Sequence, residues 1–185
     1  GESSGAFTDG CIGDWAEDTL AAVEALTDGP ILPVGSSMGG WQSLLLVRAL
    51  PARIAGLVTI AAAPDFTEDG YWASFTEAQK KTLAETGQVE LPSDYMEPYI
   101  ITRRMIEDGR KQLVLRDPLH LPFPTRFLQG TADTAVSVAT AVRLLEHAQG
   151  PDMQLQLVKD ADHRFSDDRC LELLIQAVEE VSATT

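Results

Sequence analysis

The chain has 185 residues, 44% of them hydrophobic and 23% charged, which is enough to bury one substantial core. A net charge of −14 argues against nucleic acid and anionic membrane surfaces as partners, since both are held by clustered Lys and Arg. No apolar run approaches the ~20 residues of a membrane span.

Residues 1–10 read as loop, rich in Gly, Ser, Thr and Asp, and predict no signal peptide. Over 12–27 the apolar residues Ile12, Trp15, Ala16, Leu20, Val23 and Leu26 recur at helical spacing. Asp28-Gly29-Pro30 stops that helix. Residues 31–34 are a short buried strand, in which Pro33 sits awkwardly because it removes a ladder hydrogen bond. Gly35-Ser36-Ser37-Met38-Gly39-Gly40 follows. A helix over 41–50 comes next, apolar on most faces, and Pro51 ends it. The continuous apolar run 54–63 suits a parallel strand covered on both faces.

At Pro64 the character changes. Between about 65 and 121 the pieces are charged and weakly amphipathic, with helices expected over 76–86 and 97–108 and no strand-like alternation. A long excursion between two strands is usually functional, and this one reads as a cap inserted over the sheet edge. Strand character returns over 122–128, followed by a loop, 129–133, and a helix, 138–149. Met153, Leu155 and Leu157 alternate with Gln154 and Gln156, as in a strand with one solvated face. A loop over 159–163 leads to a last helix. Ser166 is its expected cap, Asp167 and Asp168 lie in its first turn, and Leu171, Leu174, Val178 and Val181 form its apolar stripe.

Alternating strands and helices predict a mainly parallel α/β sheet with flanking helices. Catalytic groups of such sheets gather on loops at the carboxyl ends of strands. Three loops qualify, and they carry Ser37, Asp133 and His163 in that order. Strand, Gly-x-Ser-x-Gly turn and helix form the context of a nucleophile elbow, with Ser37 at its centre. Side chains in place of the flanking glycines would clash with the strained turn. The helix that follows places backbone N–H groups where an oxyanion would form, which marks the Met38 amide as the donor.

A serine hydroxyl needs a base beside it, and His163 is the candidate, its alternative role being that of a solvated loop histidine. His120 lies between prolines and His147 on a charged helix face beside Glu146, so His163 alone follows a strand. Asp133 would fix the tautomer of that histidine. Its alternative role is to cap the helix after it. Asp160 and Asp162 read as solvated loop residues. Asp167-Asp168 with Cys170 fits a helix start rather than a metal site, and no metal or cofactor is expected. Phe66, Trp72, Phe75, Tyr95 and Tyr99 either line an acyl pocket under the cap or pack the cap onto the sheet; Trp41 belongs to the core. Cys11 and Cys170 form no C-x-x-C pair and are expected as reduced thiols in a cytoplasmic protein, with nothing to support a disulfide between them.

The elbow, Gly130-Thr131-Ala132-Asp133 and Asp160-Ala161-Asp162-His163 resemble the α/β-hydrolase superfamily in its serine-hydrolase form. Three segments resemble, more closely, the branch that holds the mitochondrial palmitoyl-protein thioesterase and mycophenolic acid acyl-glucuronide esterase with its bacterial relatives. They are Val34-Gly35-Ser36-Ser37-Met38-Gly39-Gly40-Trp41, Ala62-Ala63-Pro64-Asp65-Phe66-Thr67 and Asp162-His163-Arg164. The text around Tyr95 and Tyr99-Ile100-Ile101-Thr102 carries the same likeness. The resemblance implies one α/β-hydrolase domain over 1–185, with a helical cap insertion at about 65–121. It implies a small acyl ester or thioester as substrate and an acyl-serine intermediate. It also implies earlier strands than this chain contains, since Gly1-Glu2-Ser3-Ser4-Gly5 looks like the loop after the family's fourth strand. The expectation is an N-terminally incomplete domain that lacks the loop donating the second oxyanion N–H. A complementary N-terminal segment or chain would then be its partner. A catalytically silent binding protein and an acyltransferase are the alternatives to a hydrolase.

Overall fold

Pro33 decides where the first strand begins. It has no N–H to donate, so the ladder starts one residue later, at β1 (Val34–Ser36). Its carbonyl still accepts from the Val58 N–H, at 3.0 Å. The strand predicted over 31–34 is therefore displaced towards the serine turn, and only a single bridge, Ile31 to Ile54, remains of its first half. A computed structural model of the chain describes residues 4–92 and 98–183.

Residues divide into two compact units: 1–18 with 65–113, and 19–64 with 114–185. The helix α1 (Ile12–Leu26) runs through the point where one unit passes into the other in sequence. Its predicted apolar stripe is only partly used, with Ile12 fully buried and Leu26 82% exposed.

The larger unit holds a four-stranded parallel sheet. After α2 (Met38–Ala49) come β2 (Leu57–Ile60) and, far along the chain, β6 (Thr125–Gly130) and β8 (Met153–Val158), in the spatial order β1-β2-β6-β8. Every residue of β2 and β6 is buried, as a parallel strand covered on both faces requires. β1 and β8 form the two edges among the described residues. The helix α5 (Val138–His147) precedes β8, and α6 (Asp168–Ala183) follows it. Val58, Ile60, Leu128 and Val158 form one core cluster with Phe165, Cys170, Ala177 and Val181. The buried face of α6 is thus Cys170, Ala177 and Val181, with Leu173, Leu174 and Val178 beside it. Leu171, expected in the stripe, is exposed. Asp167, not Ser166, caps the helix start, its Oδ1 accepting the Cys170 N–H at 2.8 Å. A two-stranded ribbon of β5 (Leu119–His120) and β7 (Ala148–Gln149) completes this unit, and the predicted helix over 138–149 stops at its edge.

The smaller unit corrects the sequence reading. Residues 88–102 contain an antiparallel pair, β3 (Gln88–Leu91) and β4 (Tyr99–Thr102), where no strand was expected. Gln-Val-Glu-Leu does alternate, but over only four residues. Ile100, Ile101 and Thr102 are β-branched and favour the strand, so the helix expected from 97 begins at Arg103 instead. That helix is α4 (Arg103–Gly109), capped by Thr102 Oγ1 accepting the Met105 N–H. The helix expected over 76–86 is α3 (Glu77–Thr86), closed by a reciprocal Thr76–Gln79 capping box. A π-helical turn, Phe66–Trp72, opens the segment.

Phe75 is buried with Leu83, Val89, Ile101, Met105 and Ile106, and Trp72 packs against them. Phe66 meets Tyr71 edge-on at 5.4 Å. Phe66, Trp72 and Phe75 thus contact one another's neighbours within this unit. Tyr99 is half-exposed on β4, and Tyr95 lies outside the described residues. Both cysteines are free and buried, and burial pushes both thiols up. Among the described residues no helix is long and apolar enough to cross a membrane.

The serine turn is crowded at Gly35 and Gly40 but open at Gly39. A Cβ on Gly35 would run into the Gly39 carbonyl and the Ser43 hydroxyl. A Cβ on Gly39 would meet nothing within 4 Å, whereas one on Gly40 would lie 2.7 Å from the Ala62 Cβ. The expectation that both glycines of the Gly-x-Ser-x-Gly pattern are sterically required therefore holds for Gly35 and passes from Gly39 to Gly40. Gly35→Ala should destabilise the fold by about 3 kcal/mol or more, because it is backbone that must move. Gly39→Ala should leave stability unchanged or raise it by up to ~1 kcal/mol through helix propensity. Chemical denaturation of the two variants checks the contrast.

Candidate active site

Ser37 stands between β1 and α2 with φ 54 and ψ −119, a region a side-chain-bearing residue occupies only when its surroundings hold it there. Its N–H donates to the Ile60 carbonyl at 2.8 Å. Its own carbonyl accepts the Gly40 N–H at 3.0 Å and the Ala63 N–H at 3.1 Å. Three hydrogen bonds thus pin the strained peptide to the end of β2, to the segment just after it and to the first turn of α2. Met38 is the first residue of α2, so its N–H is one of the amides a helix leaves without an internal acceptor.

Asp133 lies on the loop after β6 and His163 on the loop after β8. The two loops are stitched together by backbone. Thr131 N–H donates to the Val158 carbonyl at 2.9 Å and Ala132 N–H to the Ala161 carbonyl at 3.0 Å. Thr131 Oγ1 accepts the Asp160 N–H at 2.9 Å. A Cβ at position 130 would strike the Ala161 carbonyl, so only glycine permits this approach. Beyond His163, Asp162 Oδ1 accepts the N–H groups of Arg164 and Phe165 at 3.0 and 3.1 Å. Phe165 is buried in the core at φ 51, a strained conformation that fixes the far end of the loop. Asp162, expected as a solvated residue, is exposed but shapes this turn. Asp160 is exposed as expected.

Three side chains distant in sequence meet here. His163 Nε2 lies 3.1 Å from Ser37 Oγ, and His163 Nδ1 lies 2.9 Å from Asp133 Oδ2. The Asp133 side chain is inaccessible, while that of His163 is 32% exposed. Asp133 Oδ1 accepts the Ala135 and Val136 N–H groups, both at 2.8 Å. Its Oδ2 also accepts from Gln129 Nε2 at 2.9 Å. The helix after the loop is capped by Ser137, whose Oγ accepts the Thr140 N–H, so capping does not occupy Asp133. Burial by itself pushes the Asp133 carboxyl up, but the Val136 N–H, the His163 ring, the Gln129 amide and the Ala135 N–H outweigh it. The group is held below the ordinary carboxylate range. An ionised carboxylate only accepts, so the Nδ1 atom carries the imidazole proton and Nε2 faces the serine as an acceptor.

Gln129, expected in the loop 129–133, is instead fully buried near the end of β6. The available signal was a polar residue closing the apolar run Phe127-Leu128. Of the other histidines, His147 Nε2 is tied to the Asp117 carbonyl at 2.8 Å, and His120 lies on β5. Among the described residues no three His, Cys, Asp or Glu side chains group as a metal site needs.

Because the folded Asp133 carboxyl is depressed, its stabilising contribution is present above the carboxyl range of the unfolded chain. That contribution is lost as pH falls through the folded value. Asp133→Asn should therefore be less stable than the parent at neutral pH, and the difference should shrink in acid, below about pH 4. Urea denaturation over a pH series reads this directly; a gap that widens in acid would contradict it.

A family model described as alpha/beta hydrolase fold matches residues 1–99. The mitochondrial palmitoyl-protein thioesterase ABHD10 of Mus musculus is 31% identical over 183 residues, 98% of this chain and 61% of that protein. The chain thus spans about 60% of the length of the curated relatives it matches. Among solved structures, a protein from Agrobacterium vitis S4 superposes with a TM-score of 0.93 at 38% identity, over 98% of this chain and 72% of that one. The mouse alpha/beta hydrolase domain-containing protein 10 gives 0.88 at 28% identity, over 99% and 74%. With more than half of its length matched by the family model and its parallel sheet shared with these structures, the chain belongs to the α/β-hydrolase fold family.

Proposed function

We propose that the protein is a serine hydrolase that cleaves carboxylic esters or thioesters through an acyl-serine. The observation that carries this reading is the chain of contacts from Ser37 Oγ to His163 Nε2 and from His163 Nδ1 to Asp133 Oδ2. The mitochondrial palmitoyl-protein thioesterase relatives support the thioester part of the reading.

In this mechanism His163 Nε2 takes the Ser37 proton as Oγ attacks the acyl carbon. The imidazolium that forms is stabilised by the buried Asp133 carboxylate, which stays ionised. The carbonyl oxygen becomes an oxyanion and is held by the Met38 N–H at the positive end of α2. A donor of this kind contributes about 3 kcal/mol to the transition state. His163 then passes the proton to the departing alkoxide or thiolate, leaving the acyl group on Ser37. A water molecule, deprotonated by the same nitrogen, attacks the ester and restores the hydroxyl.

Turnover of p-nitrophenyl esters and acyl thioesters of graded chain length by the full-length protein tests the proposal. Ser37→Ala should lower kcat by about 10⁴-fold or more, and His163→Ala by a similar factor. A fluorophosphonate probe should label the parent and not Ser37→Ala. Full-length protein that turns over none of these substrates and takes up no probe would reject the hydrolase reading in favour of a binding role.

A further inference from the structure

We infer that Gln129 is a positioning residue for the Asp133–His163 pair, its buried amide holding the Asp133 carboxylate from the strand side. The inference rests on the hydrolase reading above. Asp133 Oδ1 is fixed from within its own loop by two backbone N–H groups. Oδ2, the oxygen that faces His163, is met from the strand by Gln129 Nε2 at 2.9 Å. The same nitrogen lies 3.0 Å from the Val136 carbonyl and 3.1 Å from the Gly130 carbonyl. One NH2 group therefore joins the end of β6, the turn at Val136 and the carboxylate. All three neighbours are acceptors, so the amide has one workable orientation; the flipped form would set its oxygen against three oxygens. Without this donor, the His163 ring would be the one hydrogen-bond partner left to Oδ2 itself among the described residues, and Oδ2 is the oxygen meant to orient that ring.

The other end of the side chain argues the same way. Gln129 is fully buried, and its Oε1 has no hydrogen-bond partner. An orphaned buried carbonyl is costly, and an apolar residue of similar volume would avoid it. The NH2 group accounts for an amide at this position; packing does not.

The test compares Gln129→Met, which keeps the volume and removes the donor, with the parent in the full-length protein. The expected result is a fall in kcat of about 10- to 100-fold, with KM within about twofold. The downfield proton resonance of His163 Nδ1–H should shift or broaden, a signature that a packing role alone would not move. In an Asp133→Asn background the same substitution should cost nothing further, since its target is gone. A folded Gln129→Met protein with parental kcat and an unchanged resonance overturns the inference, as does a penalty that persists in full beside Asp133→Asn. If Gln129→Met does not fold, Gln129→Asn, which withdraws the amide by one methylene, is read by the same criteria. Ser37→Ala separates the two claims. Turnover that survives it rejects the hydrolase reading, and the resonance still reports on Gln129. Turnover lost in Ser37→Ala but retained in Gln129→Met rejects the positioning role alone.

Discussion

The strained peptide at Ser37 is the constraint on which the site depends. At φ 54 and ψ −119 the residue stands off the sheet instead of continuing β1 or entering α2. Such a conformation costs on the order of 1–3 kcal/mol and persists only where neighbours over-determine it. Here Ile60, Gly40 and Ala63 hold both ends of the peptide. Ile60 ends β2 and Ala63 lies on the buried segment just after it, so that strand also sets the height of the hydroxyl. Gly35 lets α2 approach closely enough for the turn to close, and Gly40 lets the first turn of the helix clear Ala62.

The second half of the site follows from two loops that behave as one. Glycine at 130 allows the chain after β6 to touch the chain after β8, and three hydrogen bonds then lock them. The carboxylate that results is desolvated, which opposes its charge. Four donors offset that cost, two from the backbone and two from side chains, and the charge is retained where an imidazolium would need it. Electrostatic preorganisation of this sort does not require the loops to move during reaction.

Much of this was legible in the sequence, for identifiable reasons. The apolar run before Ala63, the stop at Pro51 and the helix around Trp41, apolar on most faces, are local signals, and the structure follows them. Ser37, Asp133 and His163 could be singled out because each follows a strand in a pattern of alternating strands and helices. What escaped was set by competition or by distance. Pro33 displaced β1 because a missing donor outweighed an apolar run. The β3–β4 pair is too short to announce itself, and its second strand was hidden inside a helical-looking charge pattern. Asp167 took the cap from Ser166, and Gly40 took the steric role from Gly39, each by a shift of one residue that spacing cannot resolve. The contacts of Gln129 depend on the exact path of the turn at Val136, and no pattern in one sequence encodes that path.

In the proposed mechanism Ser37 Oγ, His163 Nε2 and Asp133 Oδ2 act in series, with the Met38 amide facing the reacting centre. A crystal structure of the full-length protein after reaction with an alkyl phosphonate tests it most directly, because the adduct mimics the tetrahedral intermediate. The account predicts a covalent bond from Ser37 Oγ to phosphorus, a phosphoryl oxygen within hydrogen-bond distance of the Met38 N–H, and His163 still bonded to Asp133. A phosphonate attached to another residue, or a Ser37 adduct with His163 turned away from both partners, would contradict it.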